Sequence, residues 1–489
     1  MAKVLSLLET LADWSSGPGP LYARLYVAID SAITRGELLP GAPLPPERTL
    51  ARALKLSRTT VVQAYQNLRQ SGRIDSRQGS GTWVRGSAQD PRPSPQEHEV
   101  TSAFRRNVVF RSMLEHAHDT IGMVAAYLPP LPAVAEAARL VSRQPLSALA
   151  AEPGYSPMGM LALRKAVADS LSRAQLPTVA EQVLITSGAQ QAISLVAGLL
   201  VPRGETVAVE DPTYIGAIDV FSAAGARLLP LPSGPEGIDV DRLRPMLETR
   251  PRLLYLVPSF HNPTGTLLPE RSRRVIARLA AEFQVPVVED NALAGLGLGA
   301  ALPPPIAAFA KNAPILTIGS PSKLFWSGLR VGWIRGPEAL IARLGRWKAL
   351  ADLGSPLHTQ AIVLHLLAEE AAAEKLRCRE SSTRLDLLTA LLKQHLPDWS
   401  WRRPDGGLLL WACMPSGDAN ELAPIAQRHG VVIVAGSANS PDHRFADRVR
   451  LPFVSDPAIM KEAMARLGHA WQEYRPLPRR GAGCLDVIV

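Results

Sequence analysis

Ser320-Pro321-Ser322-Lys323, followed closely by Gly328-Leu329-Arg330, sets a primary amine among hydroxyls and a guanidinium. Ser320, Ser322 and Arg330 can bind phosphate oxygens while Lys323 forms a Schiff base with a carbonyl compound. Further groups upstream suit the same planar, phosphorylated partner. Ser187-Gly188-Ala189-Gln190 opens a helix, whose free N–H groups at Ala189 and Gln190 can hold a phosphate. Tyr214, closing Glu210-Asp211-Pro212-Thr213-Tyr214, offers a ring for stacking; Asn262, opening Asn262-Pro263-Thr264-Gly265, offers an amide to a phenolic oxygen. Asp290 ends Val287-Val288-Glu289-Asp290, where a buried carboxylate can keep a pyridine nitrogen protonated. Singly each is commonplace, since a buried Asp is usually a satisfied cap and a Lys beside serines usually lies in a solvated loop. Their serial order makes them one candidate site.

The elements that must position them alternate. From Tyr155 onward, β-branched runs at 182–186, 206–210, 253–258, 285–289, 314–318 and 331–334 are separated by helical patterns. Such alternation predicts an α/β domain with a mostly parallel sheet. Ligands of these sheets bind beyond the carboxyl ends of the strands, where the residues above fall.

A second constellation lies near the start of the chain. Leu21, Leu25, Ile29 and Ile33 recur at helical spacing, with Gly36 as the expected C-cap and a turn at Pro40-Gly41. Pro46 is expected to open a second helix with Leu50, Ala51 and Leu54 inward. Ser57 is expected to cap a third, whose apolar face is Val61, Tyr65 and Leu68. After Gly72, residues 74–84 predict a hairpin with Gln78-Gly79-Ser80-Gly81 at its tip. The order of helices and hairpin predicts an α+β winged helix-turn-helix. Ser57, Arg58, Thr59, Thr60 and Gln63 are the set expected to meet DNA, Arg58 gripping guanine or phosphate and the others base edges or backbone oxygens. Arg48 would hold phosphate, and the wing, with Arg77 and Gly79, would approach a groove.

Charge agrees with this placement. The net charge of +9 comes from 53 Lys+Arg against 44 Asp+Glu. Between Pro46 and Arg85, the bases Arg48, Arg52, Lys55, Arg58, Arg69, Arg73, Arg77 and Arg85 face only Glu47 and Asp75. With 489 residues, 46% hydrophobic and 20% charged, the chain reads as a globular multidomain protein. Its expected parts are a DNA-binding domain at 1–85, a Pro-rich linker at 86–115 containing Pro91, Pro93 and Pro95, and a large domain at 116–489. Cys378, Cys413 and Cys484 lack metal-ligand spacing, and His116 and His118 lack a second ligand pair, so no metal is expected. With no signal peptide and no apolar run near the ~20 residues a bilayer needs, a cytoplasmic protein without membrane contact is expected.

Residues 20 to 84 resemble the GntR family of bacterial regulators. The match runs through Leu21-Tyr22, Gly36, Leu44-Pro45, Glu47-Arg48, Leu50-Ala51, Ser57-Arg58-Thr59-Thr60-Val61, Tyr65, Leu68, Gly72 and the 78–81 tip. Pro46 stands where many relatives carry Ser. Residues 120 to 475 resemble fold-type I pyridoxal-phosphate enzymes of the aminotransferase class, which implies a smaller C-terminal α+β subdomain. The resemblance implies that Lys323 forms an internal aldimine, Asp290 pairs with the pyridinium, Tyr214 stacks on the ring and Asn262 bonds its oxygen. Ala189, Gln190, Ser320, Ser322 and Arg330 would cradle phosphate. Tyr155, in Gly154-Tyr155-Ser156-Pro157, matches a tyrosine that reaches the phosphate of a neighbouring subunit. Arg450, in Arg448-Val449-Arg450-Leu451-Pro452, matches the arginine that clamps the substrate carboxylate. The family's tyrosine two or three residues after the Asp is replaced by Ala292 and Leu293, which puts efficient transamination in doubt.

Together the halves resemble the MocR subfamily. This implies a homodimeric transcriptional regulator that binds a double-stranded DNA operator and pyridoxal 5'-phosphate. It would sense an amine or amino acid, or pyridoxal phosphate itself, by aldimine exchange at Lys323. Two alternatives stay open: an active aminotransferase with an appended regulatory DNA-binding domain, and a DNA-binding dimer whose body has lost the cofactor.

Overall fold

The computed structural model describes residues 20–34, 37–38, 42–54, 56–71, 73–77, 81–84, 109, 120–144 and 154–474. Gly36, Pro40-Gly41, Gly72, the wing tip with Gly79, the side chain of Arg77, the linker apart from Val109, His116, His118 and Cys484 lie outside the described residues. The chain divides into two compact units, residues 1–97 and 98–489.

In the first unit, helices Leu21–Thr34, Glu47–Leu54 and Arg58–Gln70 pack with a three-stranded antiparallel sheet, in which Gly81–Val84 lies between Pro43–Leu44 and Ile74–Arg77. Leu25, Ile29, Leu50, Val61, Tyr65 and Leu68 form its fully buried core. The Tyr65 hydroxyl donates to the Pro45 carbonyl at 2.9 Å and so joins the third helix to the approach of the second. Two expectations need correcting. Leu21, the first helical residue, is 44% exposed, and the inward stripe runs through Leu25, Ile29 and Ala32. Pro46 stands before the second helix rather than heading it, its carbonyl accepting from the amides of Thr49 and Leu50. Ser57 is the cap of the third helix: its Oγ accepts from the Thr60 amide at 3.1 Å.

The second unit is built on an eight-stranded sheet. Its order is Val183–Thr186, Gly332–Arg335, Ile315–Gly319, Val287–Asp290, Leu253–Leu256, Thr206–Asp211, Arg227–Gly234 and Gly237–Ile238. The middle strands pair in parallel; Gly332–Arg335 runs antiparallel to both its neighbours. All six predicted strands are present, with bounds shifted by a residue or two. Arg227–Gly234 escapes the pattern because Pro230 and Pro232 interrupt it. Its outer side is paired only at Ser233 and Gly234, so prolines cost it few ladder bonds. The smaller subdomain has the four-stranded antiparallel sheet Ser400–Trp401, Leu409–Cys413, Arg448–Pro452 and Val434–Ala435, packed with helices Glu370–His395, Ala419–Arg428 and Pro457–Glu473. Among the described residues no helix is long and apolar enough to cross a membrane.

Two buried arginines fasten the loops between strands and site. Arg273, fully buried on helix Glu270–Phe283, donates to the carbonyls of Leu268, Pro304 and Pro258 and to Ser259 Oγ, at 2.9–3.2 Å. Burial lowers its pKa to about 10, against the pull of Glu289 and Glu270. Arg377, 1% exposed, donates to the carbonyls of Leu324, Phe325 and Pro129 and to Glu380.

Arg273→Met strands those buried acceptors and should cost roughly 3 kcal/mol, read as a lower denaturation midpoint; an unchanged midpoint would mean water serves them equally well. Ser57→Ala should remove about 1 kcal/mol from the first unit by loss of the cap, visible as selective early melting of that unit.

Candidate functional site

Asp290 ends its strand 5% exposed, with both oxygens engaged. Oδ2 accepts from the Tyr255 hydroxyl at 2.8 Å and Oδ1 from the Ala292 amide at 3.0 Å. Burial raises the Asp290 pKa, these two donors oppose the rise, and nearby Glu210 adds to it. Tyr255 is fully buried on the adjoining strand, its own pKa driven well above the usual value by burial and then by Asp290. Sequence reading misses Tyr255 because it lies inside an apolar run and looks like core. Its one signal is a hydroxyl on the strand beside the Asp-bearing one. Ala292 contributes only its amide here, and Leu293 packs against the main apolar core, so neither replaces the family's tyrosine.

Lys323 follows strand Ile315–Gly319, and its Nζ donates to the Ala126 carbonyl at 2.8 Å. Burial, then the charges of Arg450 and Arg330, push its pKa down to about 8. The hydroxyls of Ser320 and Ser322 donate to the Val331 carbonyl at 2.8 and 3.3 Å, tying the lysine loop to the next strand. Arg330 takes a left-handed backbone (φ 48°) and donates to the Ser187 carbonyl at 2.8 Å. Its guanidinium covers Gly188, where a Cβ would stand 3.1 Å from Nη2; Gly188 (φ 94°) caps helix Ala189–Leu200. Guanidinium and helix N-terminus thus converge as an anion cradle.

Gln190 binds the Gly216 carbonyl at 3.1 Å through Nε2 and accepts from the Tyr214 hydroxyl at 3.0 Å, which fixes the ring. Burial and Asp290 push the Tyr214 pKa up to about 12. Asn262 leaves its buried Oδ1 without a hydrogen-bond partner in a loop anchored by Arg273. Arg450, 3% exposed, donates through Nη2 to the Val124 carbonyl; its Nε is buried without a partner, and burial lowers its pKa to about 10. Tyr214 feels the charges of Asp290, Arg450 and Arg330, and Lys323 those of both arginines. Tyr155 is 74% exposed.

In the first unit, Arg48, Ser57, Arg58, Thr59 and Gln63 are exposed, and Thr60 is half-buried against Ser57 Oγ at 2.7 Å. Glu47 lies 3.8 Å from Arg58 and 3.5 Å from Arg69. The exposed start of the third helix therefore carries the polar set expected to meet DNA.

Residues 124–467 match the aminotransferase class I and II family, and residues 21–84 match the bacterial regulatory proteins of the gntR family. YdfD of Bacillus subtilis, an uncharacterized HTH-type transcriptional regulator, is 33% identical over 86% of this chain and 89% of its own. The regulatory protein MocR of Rhizobium meliloti is 29% identical over 78% of both chains. LysN, the alpha-aminoadipate aminotransferase of Thermus thermophilus, solved with N-(5'-phosphopyridoxyl)-L-leucine, is similar at TM-score 0.69 and 31% identity, covering 76% of this chain and 97% of that one. Its fold is that of the second unit. A helix-turn-helix of the GntR type joined to a class I and II aminotransferase domain, with regulators as relatives along most of its length, places this chain in the MocR subfamily of GntR-family transcriptional regulators.

Proposed function

We propose that this chain is a cytoplasmic, homodimeric regulator whose body binds pyridoxal phosphate at Lys323. Its operator binding then responds to an amine or amino acid, or to the cofactor itself. The observation that carries this is a convergence of cations. Among the described residues, no carboxylate forms an ion pair with Lys323, Arg330 or Arg450, and burial and mutual repulsion depress Lys323. Cations without counter-charges, with Arg450 buried, Lys323 half-buried and Arg330 exposed, suit an anionic ligand, here a phosphate and a carboxylate. The unpartnered amide oxygen of Asn262 adds a polar group with capacity to spare.

Pyridoxal phosphate, when bound, supplies an aldehyde that condenses with amines. Lys323 offers the amine, with a large neutral fraction near pH 8. Asp290, whose pKa burial raises against the donors Tyr255 and the Ala292 amide, would hold a proton at a ring nitrogen. Tyr214, fixed by Gln190, would cover the ring, and Asn262 would bond its oxygen through the side-chain amide. Arg330, the amides of Ala189 and Gln190, Ser320 and Ser322 would hold the phosphate. Arg450 takes the effector carboxylate, which guanidinium binds bidentately. Exposed Tyr155, near Leu353 (51% exposed) through the packing of Gly354 on Ser156, supports a second copy covering this face. On the DNA side the contacting set is Arg48, Ser57, Arg58, Thr59, Thr60 and Gln63, with Arg77 and Gly79 on the wing.

The likeness to LysN favours a second reading, a working aminotransferase; the methyl of Ala292 where the family has a tyrosine favours the sensor. Titration with pyridoxal phosphate and candidate amines, following visible absorbance, operator binding and keto-acid release, separates them. The sensor predicts a band lost in Lys323→Ala and effector-dependent operator binding without sustained turnover. Sustained keto-acid release abolished by that substitution would establish the enzyme, and absence of any band would remove the cofactor.

The Lys323 pKa sets a pH profile. The rate of band formation should climb up to pH about 8 and level above it; a flat profile would contradict a depressed amine. The folded value lies below the ordinary 10.5, so the unfolded chain binds the extra proton between the two values. The cost to stability is therefore full below about pH 8 and relieved as pH rises toward 10.5. For the DNA side, Arg58→Ala should lose ~1–3 kcal/mol at the specific operator. Equal losses on random DNA would make Arg58 a phosphate contact instead.

A further inference from the structure

Residues 123–131 have no regular secondary structure, yet three buried or half-buried cations hold their carbonyls. Arg450 donates to Val124, Lys323 to Ala126 at 2.8 Å, and Arg377 to Pro129 at 2.6 Å. The ends are pinned by backbone, the Met123 amide to the Val432 carbonyl at 2.8 Å and the Leu131 amide to the Phe325 carbonyl at 3.1 Å. Arg377 also binds the carbonyls of Leu324 and Phe325, directly after Lys323, so it is a fixed anchor. Lys323 is not fixed in this sense, because its amine is the group assigned above to the cofactor. The Val124 side chain packs with Val109, Ile215 and Val434, next to Tyr214. Ile121–Gly122, just before the segment, pairs with Val431–Val432, and in sequence the chain arrives there from the DNA-binding unit.

We propose that residues 123–131 are a strap that reads the bonding state of Lys323 and passes it to the chain leading to the DNA-binding unit. The inference rests on Lys323 being the cofactor-binding amine. A free lysine directs up to three protons and can keep one on the Ala126 carbonyl. Condensation of its neutral amine with an aldehyde forms a C=N bond and releases one water. The nitrogen then retains at most one proton, confined to the plane of the new double bond, and the amine can no longer turn a proton toward Ala126. An incoming neutral amine that takes over the aldehyde carbon of the protonated C=N group forms its own C=N bond as the bond from that carbon to Lys323 breaks, passes one proton to the departing nitrogen and frees Lys323 to bind the strap again. Arg450 can hold Val124 throughout, since its unpartnered Nε and remaining N–H groups are available to a carboxylate. The strap is therefore closed, open and closed again in the ligand-free, cofactor-loaded and amine-treated protein.

Amide hydrogen exchange of the full-length protein over residues 123–131 tests this, with exchange in strand Leu253–Leu256 as the control for folding. Lys323→Ala without ligand should exchange roughly tenfold faster in the strap, as loss of a charged hydrogen bond predicts. Lys323→Arg, which keeps a cationic donor but cannot form the C=N bond, should match the parent and stay unchanged on adding pyridoxal phosphate. In the parent, pyridoxal phosphate should speed strap exchange, and hydroxylamine, which captures the aldehyde and releases Lys323, should reverse it. Equal exchange in Lys323→Ala and the parent would overturn the strap. A visible band with no change over 123–131 would overturn the relay alone, whereas no band at all would overturn the cofactor reading and the relay with it.

Discussion

Positive charge taken out of water must find acceptors, and around the candidate site of this regulator the acceptors are mostly loop carbonyls. Arg273, Arg377, Arg450 and Lys323 all donate to backbone oxygens. Of these four, Arg377 also meets a carboxylate, that of Glu380; among the described residues the other three form no ion pair. Carbonyls satisfy the hydrogen-bond geometry and leave the charge available. The loops of 258–268, 323–325 and 123–131 take their shape from this solution, and the residues with chemical roles ride on them.

The same logic divides the cations by function. Arg273 and Arg377 distribute several donors over carbonyls of neighbouring loops and have few left, so they serve as fasteners. Arg450 commits one nitrogen and keeps a buried Nε unpartnered, while Lys323 holds a single carbonyl. Residues with spare capacity can exchange partners; those without it cannot. Asp290 has each oxygen bound once from within the protein, with acceptor capacity left for a further donor.

Much of this was legible in the sequence. Lys323, Asp290, Asn262, Tyr214 and Arg330 could be located because they sit at the ends of runs that alternate strand with helix. The DNA-binding unit was legible because Ser57 and the face Val61, Tyr65 and Leu68 obey cap and periodicity rules. What stayed hidden depends on contacts between distant segments. Arg273 stands beside Arg271 and Arg274, and nothing local says which of them turns inward. Arg377 lies in an Arg-rich helix and reaches a carbonyl at Pro129, far off in sequence. Tyr255 acquires its meaning only when the adjoining strand brings Asp290 beside it. Leu21 fits the helical stripe, yet it is 44% exposed at the first turn.

The reversed strand Gly332–Arg335 has a geometric consequence for the lysine loop. Its neighbours Ile315–Gly319 and Val183–Thr186 end at the ligand-facing edge, and this strand begins there, with Trp333 opposite Gly319 and Gly332 opposite Thr186. The loop from Ser320 to Val331 leaves and re-enters the sheet on adjacent strands, which lie about 4.8 Å apart. Its feet are therefore set by the ladder and not by its own length. Residues could be gained or lost at its crown, around Trp326, while the roots that carry Ser320 and Arg330 keep their spacing.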